Sequence, residues 1–210
     1  MDGRQGAQET YFCAGKNGEC GGVNNFFVSW CALNPVMHLH TAILSPQQYL
    51  AEERMRTGAS WIHNLIASNL HVLLVALLRE KGFFVSQSDL RVSDPLSSSY
   101  LYPDLVLIRG KAAFLDSEMD TLTNPFIVIE ILSPSSESYD RGEKFEVYRQ
   151  IPSLQEYVLV SQKKALIESF YRNDAGRWEL SSENQLTAAM HLRSAEVEIS
   201  LSEVYRGVFE

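Results

Sequence analysis

Apolar residues recur at three- and four-residue steps from Ile62 to Leu78. Ile62, Leu65, Ile66, Leu70, Leu73, Leu74, Leu77 and Leu78 fall on one stripe. That period predicts an amphipathic helix over 61–81 with the stripe turned to a core. Ser60 stands at the N-cap position, and Lys81 and Gly82 are stop signals. A preceding helix is predicted from Ser45-Pro46-Gln47-Gln48 to about Arg56. Ser45 can cap it, Pro46 suits its first turn, and Gln48 completes a capping box.

The pattern then changes to short apolar runs. Strands are predicted at 83–92, 101–109 and 126–132, with 110–125 a polar loop. Asp140-Arg141-Gly142-Glu143 reads as a capping box that opens a helix to about Arg149. Strands follow at 155–161 and 165–172. Asn173-Asp174-Ala175-Gly176 is a hairpin turn into 177–180. Residues 196–201 alternate as a last strand, and Ser202 to Val208 suit a short helix. This order describes an α/β (α+β) sheet protein rather than a doubly wound one.

Residues 1–36 show little periodicity and carry Gly3, Gly6, Gly15, Gly18, Gly21 and Gly22; only Phe26-Phe27-Val28-Ser29-Trp30 is strongly apolar. They read as a poorly ordered leader over 1–40, with Met37 an alternative start, ahead of one domain over 41–210. A hydrophobic fraction of 45% in 210 residues supports a packed core and argues against disorder. No uninterrupted apolar run approaches the length of a bilayer span, so no membrane association is expected. No basic stretch followed by an apolar segment suggests a signal peptide. Cys13, Cys20 and Cys31 fit neither a zinc pattern nor a closed disulfide set, and read as free thiols of a cytoplasmic protein. The net charge of -8 weighs against a nucleic-acid partner unless a local basic patch, metal ions or a basic partner compensates.

The candidate chemistry lies between Tyr102 and Tyr148. Asp104 opens one predicted strand, after Pro103. Glu130 sits inside the run Phe126-Ile127-Val128-Ile129-Glu130-Ile131-Leu132, and Lys144 lies on the helix that follows. A carboxylate within such a run is costly to desolvate unless positive charge stands beside it. If the two strands are neighbours, Asp104 and Glu130 face each other across strand spacing, a hard oxygen pair suited to Mg²⁺ or Mn²⁺. Such an ion binds a phosphate oxygen and activates water. Lys144 could orient that water or stabilise developing charge. Taken singly, a strand acid is more often an edge charge and a helical lysine a solvated one. The combination is more specific, because Glu130 has apolar neighbours on both sides.

Tyr102-Pro103-Asp104, Glu130-Ile131-Leu132-Ser133-Pro134-Ser135-Ser136, and Tyr139-Asp140-Arg141-Gly142-Glu143-Lys144-Phe145 with Tyr148-Arg149 resemble the Uma family of restriction endonucleases, within the PD-(D/E)XK nuclease superfamily. The resemblance extends through Pro152-Ser153-Leu154-Gln155-Glu156-Tyr157 and Trp178. It implies a restriction-endonuclease-like mixed central sheet flanked by helices, with additional antiparallel strands. It also implies DNA as partner, Mg²⁺ or Mn²⁺ as cofactor, and Asp104, Glu130 and Lys144 as catalytic residues. The superfamily's lysine would fall where Leu132 stands, and Lys144 is the matching substitute. The carbonyl of Ile131 would join Asp104 and Glu130 as a metal ligand. One departure matters: Glu52-Glu53-Arg54-Met55-Arg56 runs almost directly into Thr57-Gly58-Ala59-Ser60, where the family carries a short acidic hairpin. Its loss would remove a strand pair and an auxiliary acid.

Three further residues carry two readings each. His63 either approaches the metal pocket or packs in the first turn of its helix. Asp89 either joins the site or forms a salt bridge, with Arg91 the nearest partner. Ser133 either contacts phosphate or caps the turn at a strand end. The functional expectation is a metal-dependent endonuclease, with a homodimer as the arrangement that cuts two strands. The alternative is a catalytically weakened nuclease-fold protein that serves as a DNA- or protein-binding assembly module. A small-ligand protein lacks the Gly-rich phosphate loop that would support it.

Overall fold

The structure is a computed structural model that describes residues 59–93, 100–115 and 117–209. The expected leader, the helix expected from Ser45, the three cysteines and most of the shortened segment lie outside the described residues.

Helix α1 (Trp61–Leu78) continues into a 3₁₀ turn, Arg79–Lys81, and stops at Gly82, whose φ of +78° favours glycine. The Ser60 hydroxyl accepts the His63 amide at 3.1 Å, the cap the sequence announced. The buried face consists of Ile66, Ala67, Leu70, Leu74 and Leu78. It is narrower than the predicted stripe, since Ile62 and Leu77 are exposed. The helix over Trp61–Lys81 is long and apolar enough, with mean hydropathy 1.6, to cross a bilayer by length and composition. The expectation drawn from uninterrupted runs missed this. In the fold its inner face clusters with Leu105, Leu107, Ile129 and Val158 of the sheet.

The strands are β1 (Phe83–Gln87), β2 (Arg91–Val92), β3 (Leu105–Arg109), β4 (Thr121–Leu122), β5 (Ile127–Leu132), β6 (Glu156–Ser161), β7 (Ile167–Arg172), β8 (Trp178–Glu183), β9 (Ala189–Leu192) and β10 (Val197–Ser200). A six-stranded sheet runs in the order β1-β3-β5-β6-β7-β8. Its pairs are antiparallel except β5 with β6, which are parallel and require a crossover. The crossover contains α2 (Glu137–Tyr139), a π-helical turn at Asp140–Lys144, and α3 (Phe145–Tyr148). A last helix, α4 (Leu201–Val204), packs against α1.

Both faces of the central strands are covered, so they read as continuous apolar runs. The period of two still sorts them. Leu105, Leu107, Ile127, Ile129, Ile131 and Val158 turn to α1, while Val106, Ile108, Val128, Tyr157 and Leu159 turn to the crossover side, with Tyr148. Glu130 therefore projects toward the crossover helix.

The predicted strand 83–92 is broken. Ser88 and Asp89 take left-handed conformations, with φ of +50° and +60°, and turn the chain between β1 and β2. The predicted loop 110–125 contains β4, which pairs in parallel with β2. Strand β9 was not anticipated; it pairs with β10. The turn between those strands is tied to the sheet by Glu156, which is fully buried. Its carboxylate accepts from the hydroxyls of Ser169 (2.5 Å) and Ser194 (2.7 Å), and from the Ser194 and Arg193 amides at 3.0 and 3.3 Å.

Because Leu70 is fully buried against the sheet, Leu70→Ala should lower unfolding free energy by about 2–5 kcal/mol. Val72→Ala, on the exposed side of the same helix, should change it by less than about 0.5 kcal/mol. Urea denaturation followed by circular dichroism separates the two; equal losses would mean that the outer face of α1 is also covered.

Candidate active site

The antiparallel register of β3 and β5 runs Leu107 with Ile127, Val106 with Val128, and Leu105 with Ile129. One step further sets Asp104, just before β3, level with Glu130. The adjacency expected of these strands is therefore present. Asp104 reaches across the end of β3, and its Oδ2 accepts the amide of Ile131 at 2.7 Å. An amide and a carbonyl of one strand residue point to the same neighbour, so the Ile131 carbonyl is turned to the β3 side as well. The first turn of α1 completes this side. His63 Nε2 stands 3.0 Å from Asp104 Oδ1, which is the pocket reading of His63. Its Nδ1 is buried with no partner among the described residues.

The crossover helix builds the other side. Lys144 Nζ lies 2.9 Å from Glu130 Oε1 and 3.0 Å from Asp140 Oδ1. The Tyr148 hydroxyl donates to Glu130 Oε1 at 3.1 Å, and the Tyr157 hydroxyl donates to the Asp140 carbonyl at 2.8 Å. Asp140, Lys144 and Tyr148 are spaced four residues apart, so one helical stripe faces the strand acid. The expected capping box is corrected here. The helix begins at Glu137, Asp140 is interior and buried, and its carboxylate binds the lysine instead of capping. A π-helical turn spans Asp140 to Lys144, a distortion that is common at functional sites.

Burial pushes the Glu130 carboxyl up to about 8; the Lys144 ammonium opposes this rise, and the nearby Asp104 and Asp140 add to it. Lys144 is held above its ordinary value, because Glu130 and Asp140 together outweigh the burial that works against its charge. Burial and the Glu130 charge hold the Tyr148 phenol well above its usual range, so it serves as a neutral donor. Burial acts on all three, and Glu130 and Asp140 share one ammonium.

Of the residues proposed from sequence, Asp104, Glu130, Ile131, Lys144 and His63 come together. Ser133 does not join them by any hydrogen bond. Its Oγ bonds to Ser135 Oγ at 3.0 Å and Ser136 Oγ at 2.9 Å and accepts the Ser136 amide at 3.1 Å, which is the turn role. Asp89 lies in the exposed turn after β1, and the expected bridge to Arg91 is replaced by a pair between Arg91 and Asp120. Asp140 and Tyr148 were missed as site residues. Their signal was the four-residue spacing around Lys144. Among the described residues no three His, Cys, Asp or Glu side chains converge as a metal cage. The donors on hand are the two carboxylates and the Ile131 carbonyl. An all-oxygen set of this size fits Mg²⁺ or Mn²⁺ that retains waters, and fits a thiolate- or imidazole-seeking metal poorly.

A mixed sheet with one acid just before a strand, a second level with it inside the neighbouring strand, and a lysine from the next helix defines a nuclease-like fold of the restriction-endonuclease type. The chain belongs to the Uma2 family, described as "Putative restriction endonuclease", whose model matches residues 46–202. Two proteins of Synechocystis sp. are similar to it. Uncharacterized protein sll1609 is 32% identical over 181 residues, covering 78% of this chain and 97% of the relative. Uncharacterized protein slr1290 is 32% identical over 179 residues, covering 79% and 93%. A crystal structure from Anabaena variabilis, described as "a putative nuclease belonging to DUF820", superposes with a TM-score of 0.59 at 14% identity. It covers 70% of this chain and 82% of the other, and shows a shared fold.

Glu130 yields a pH prediction. Its folded value, about 8, lies above its ordinary value of 4.5. The stabilisation from the protonated buried carboxyl is complete below the ordinary value and is lost as pH rises through the folded one. Melting temperature in EDTA should therefore fall between pH 5 and pH 8, and Glu130→Gln should flatten that slope. A wild-type slope unchanged by the substitution would assign the pH dependence to another group.

Proposed function

We propose that this chain is a Mg²⁺- or Mn²⁺-dependent DNA endonuclease that hydrolyses phosphodiester bonds. The observation that carries the reading is the fully buried Glu130 beside Asp104 and Lys144. Packing alone would be met better by an apolar residue at that position. The carboxylates of Asp104 and Glu130 and the carbonyl of Ile131 would hold the ion, which supplies Lewis acidity toward a phosphate oxygen and a water of lowered pKa. His63 Nε2 fixes one Asp104 oxygen and the Ile131 amide fixes the other. Tyr148 fixes Oε1 of Glu130, leaving Oε2 for the ion. Lys144 Nζ, held by two acids, orients the attacking water or neutralises charge that develops on the phosphate.

A second reading, a weakened nuclease that serves as a binding module, draws on the net charge of -8 and on a donor set of only two carboxylates. Supercoiled plasmid nicking in Mn²⁺ decides between them. Asp104→Asn and Glu130→Gln should each lower nicking by about 100-fold or more while circular dichroism stays unchanged. Lys144→Ala should lower turnover by a similar factor but shift Mn²⁺ affinity, by calorimetry, less than about threefold, since it is not a ligand. Equal nicking by wild type and Glu130→Gln would place the chemistry elsewhere. No nicking by wild type across metals would favour the binding module.

A further inference from the structure

Lys144 has two acids against it where one would balance its charge. Its Nζ lies 2.9 Å from Glu130 Oε1 and 3.0 Å from Asp140 Oδ1. Asp140 is 2% exposed, and among the described residues its carboxylate accepts no amide or hydroxyl and meets no other cation. Glu156 shows how this fold treats an acid that serves packing. It is fully buried as well, but two hydroxyls and two amides satisfy its oxygens. The backbone at Asp140 is also secured without the side chain. Its amide donates to the Ser136 carbonyl at 2.8 Å, and its carbonyl accepts the Tyr157 hydroxyl at 2.8 Å. A buried acid held by an ammonium alone is a poor choice for stability, because desolvation of both charges offsets their attraction.

Asp140 is not a ligand of the candidate ion either. No third His, Cys, Asp or Glu side chain among the described residues joins Asp104 and Glu130 as a metal cage. An ion held by those two would engage the Glu130 charge and repel an ammonium 2.9 Å from the same carboxyl. Glu130 would therefore loosen its hold on Lys144 in the loaded pocket, where the lysine has its task. Asp140 would not. It stands four residues before Lys144 on the same helical stripe and outside the donor set.

We propose that Asp140 is a positioning residue, which keeps Lys144 at the pocket when an ion occupies Glu130 and acts on the phosphate only through that lysine. The task of Lys144 rests on the endonuclease reading; its retention by Asp140 needs only that an ion binds.

A double-mutant cycle over Asp140→Asn and Lys144→Ala tests this in the full chain, with supercoiled plasmid and Mn²⁺. Asp140→Asn should lower kcat by about tenfold or more and change KM by less than about twofold, because the lysine acts on charge that develops in the transition state. In the Lys144→Ala background the same substitution should lower kcat by less than about twofold further, since a residue that acts through Lys144 has nothing left to position. A second readout needs no cleavage. In saturating Mg²⁺ the Lys144 Cε–Nζ group, followed by nuclear magnetic resonance, should be rigid in the wild type and mobile in Asp140→Asn. Equal falls in kcat in both backgrounds would overturn the proposal, as would a Lys144 that stays rigid in the variant. Should Asp140→Asn fail to fold, Asp140→Ala replaces it; if neither folds in EDTA, the carboxylate is structural and the proposal falls. The two readings fail separately. Glu130-dependent nicking with a rigid Lys144 in Asp140→Asn would keep the nuclease and remove the role of Asp140. A Lys144 freed by Asp140→Asn, with no nicking in any metal, would do the reverse.

Discussion

The carboxyl of Glu130 is the constraint on which the arrangement around it depends. It occupies the middle of a strand that is buried along its whole length. Water cannot reach it, so its surroundings must hold it. Lys144 and Tyr148 do so from one helix, and each is itself buried or nearly so. An apolar residue of similar volume would remove this demand. Tyr148 would then lose the acceptor of its hydroxyl, and Lys144 would keep only Asp140 as a partner. Glu130, Lys144 and Asp140 therefore stand or fall as a unit, and single substitutions within it should not be additive.

The geometry of that unit follows from strand parity. Alternate residues of β5 face opposite layers, and Glu130 shares its parity with Val128 rather than Ile129. A one-residue slip of β5 would aim the carboxyl at α1, where the stripe is apolar. Asp104 escapes this rule because it precedes β3 and bends over the strand end to meet the Ile131 amide. The helix α1, though it covers the opposite layer, still contributes His63, because its first turn lies where Asp104 precedes β3. Two layers and a strand end thus converge within the interior strands of the sheet.

Much of this was legible in the residues. The three- and four-residue period of α1, its Ser60 cap and its Gly82 stop needed no tertiary information. The apolar runs located β3 and β5, and an acid at the head of one and another inside the second pointed to the pair. What was not legible has particular causes. The chain reverses at Ser88 and Asp89 through left-handed conformations at residues other than glycine, so no glycine announced the break in the predicted strand. Asp140 stood in a good capping pattern, and only the tertiary position of Glu130 shows that its carboxylate serves Lys144. Strand β9 is short and alternates over four residues, too few for a period to stand out. Ile62 and Leu77 satisfied the helical period but lie at the margins of the stripe, where the sheet does not reach them.

Charge arithmetic is in keeping with the proposed ion. With His63 counted as neutral, Asp104, Glu130 and Asp140 carry three formal negative charges and Lys144 one positive charge, so 3 − 1 leaves two uncompensated. Without a cation the most buried acid is driven to keep a proton, which is the direction Glu130 takes. A divalent cation is the charge that would balance the pocket with every carboxylate ionised, whereas a monovalent one would leave Glu130 partly penalised. A phosphate entering the balanced pocket would meet an ion and an ammonium rather than a cluster of acids. The same balance fits the acidic surface. An ion in the pocket would put positive charge where a phosphate would sit, whatever the net charge of -8 over the whole chain.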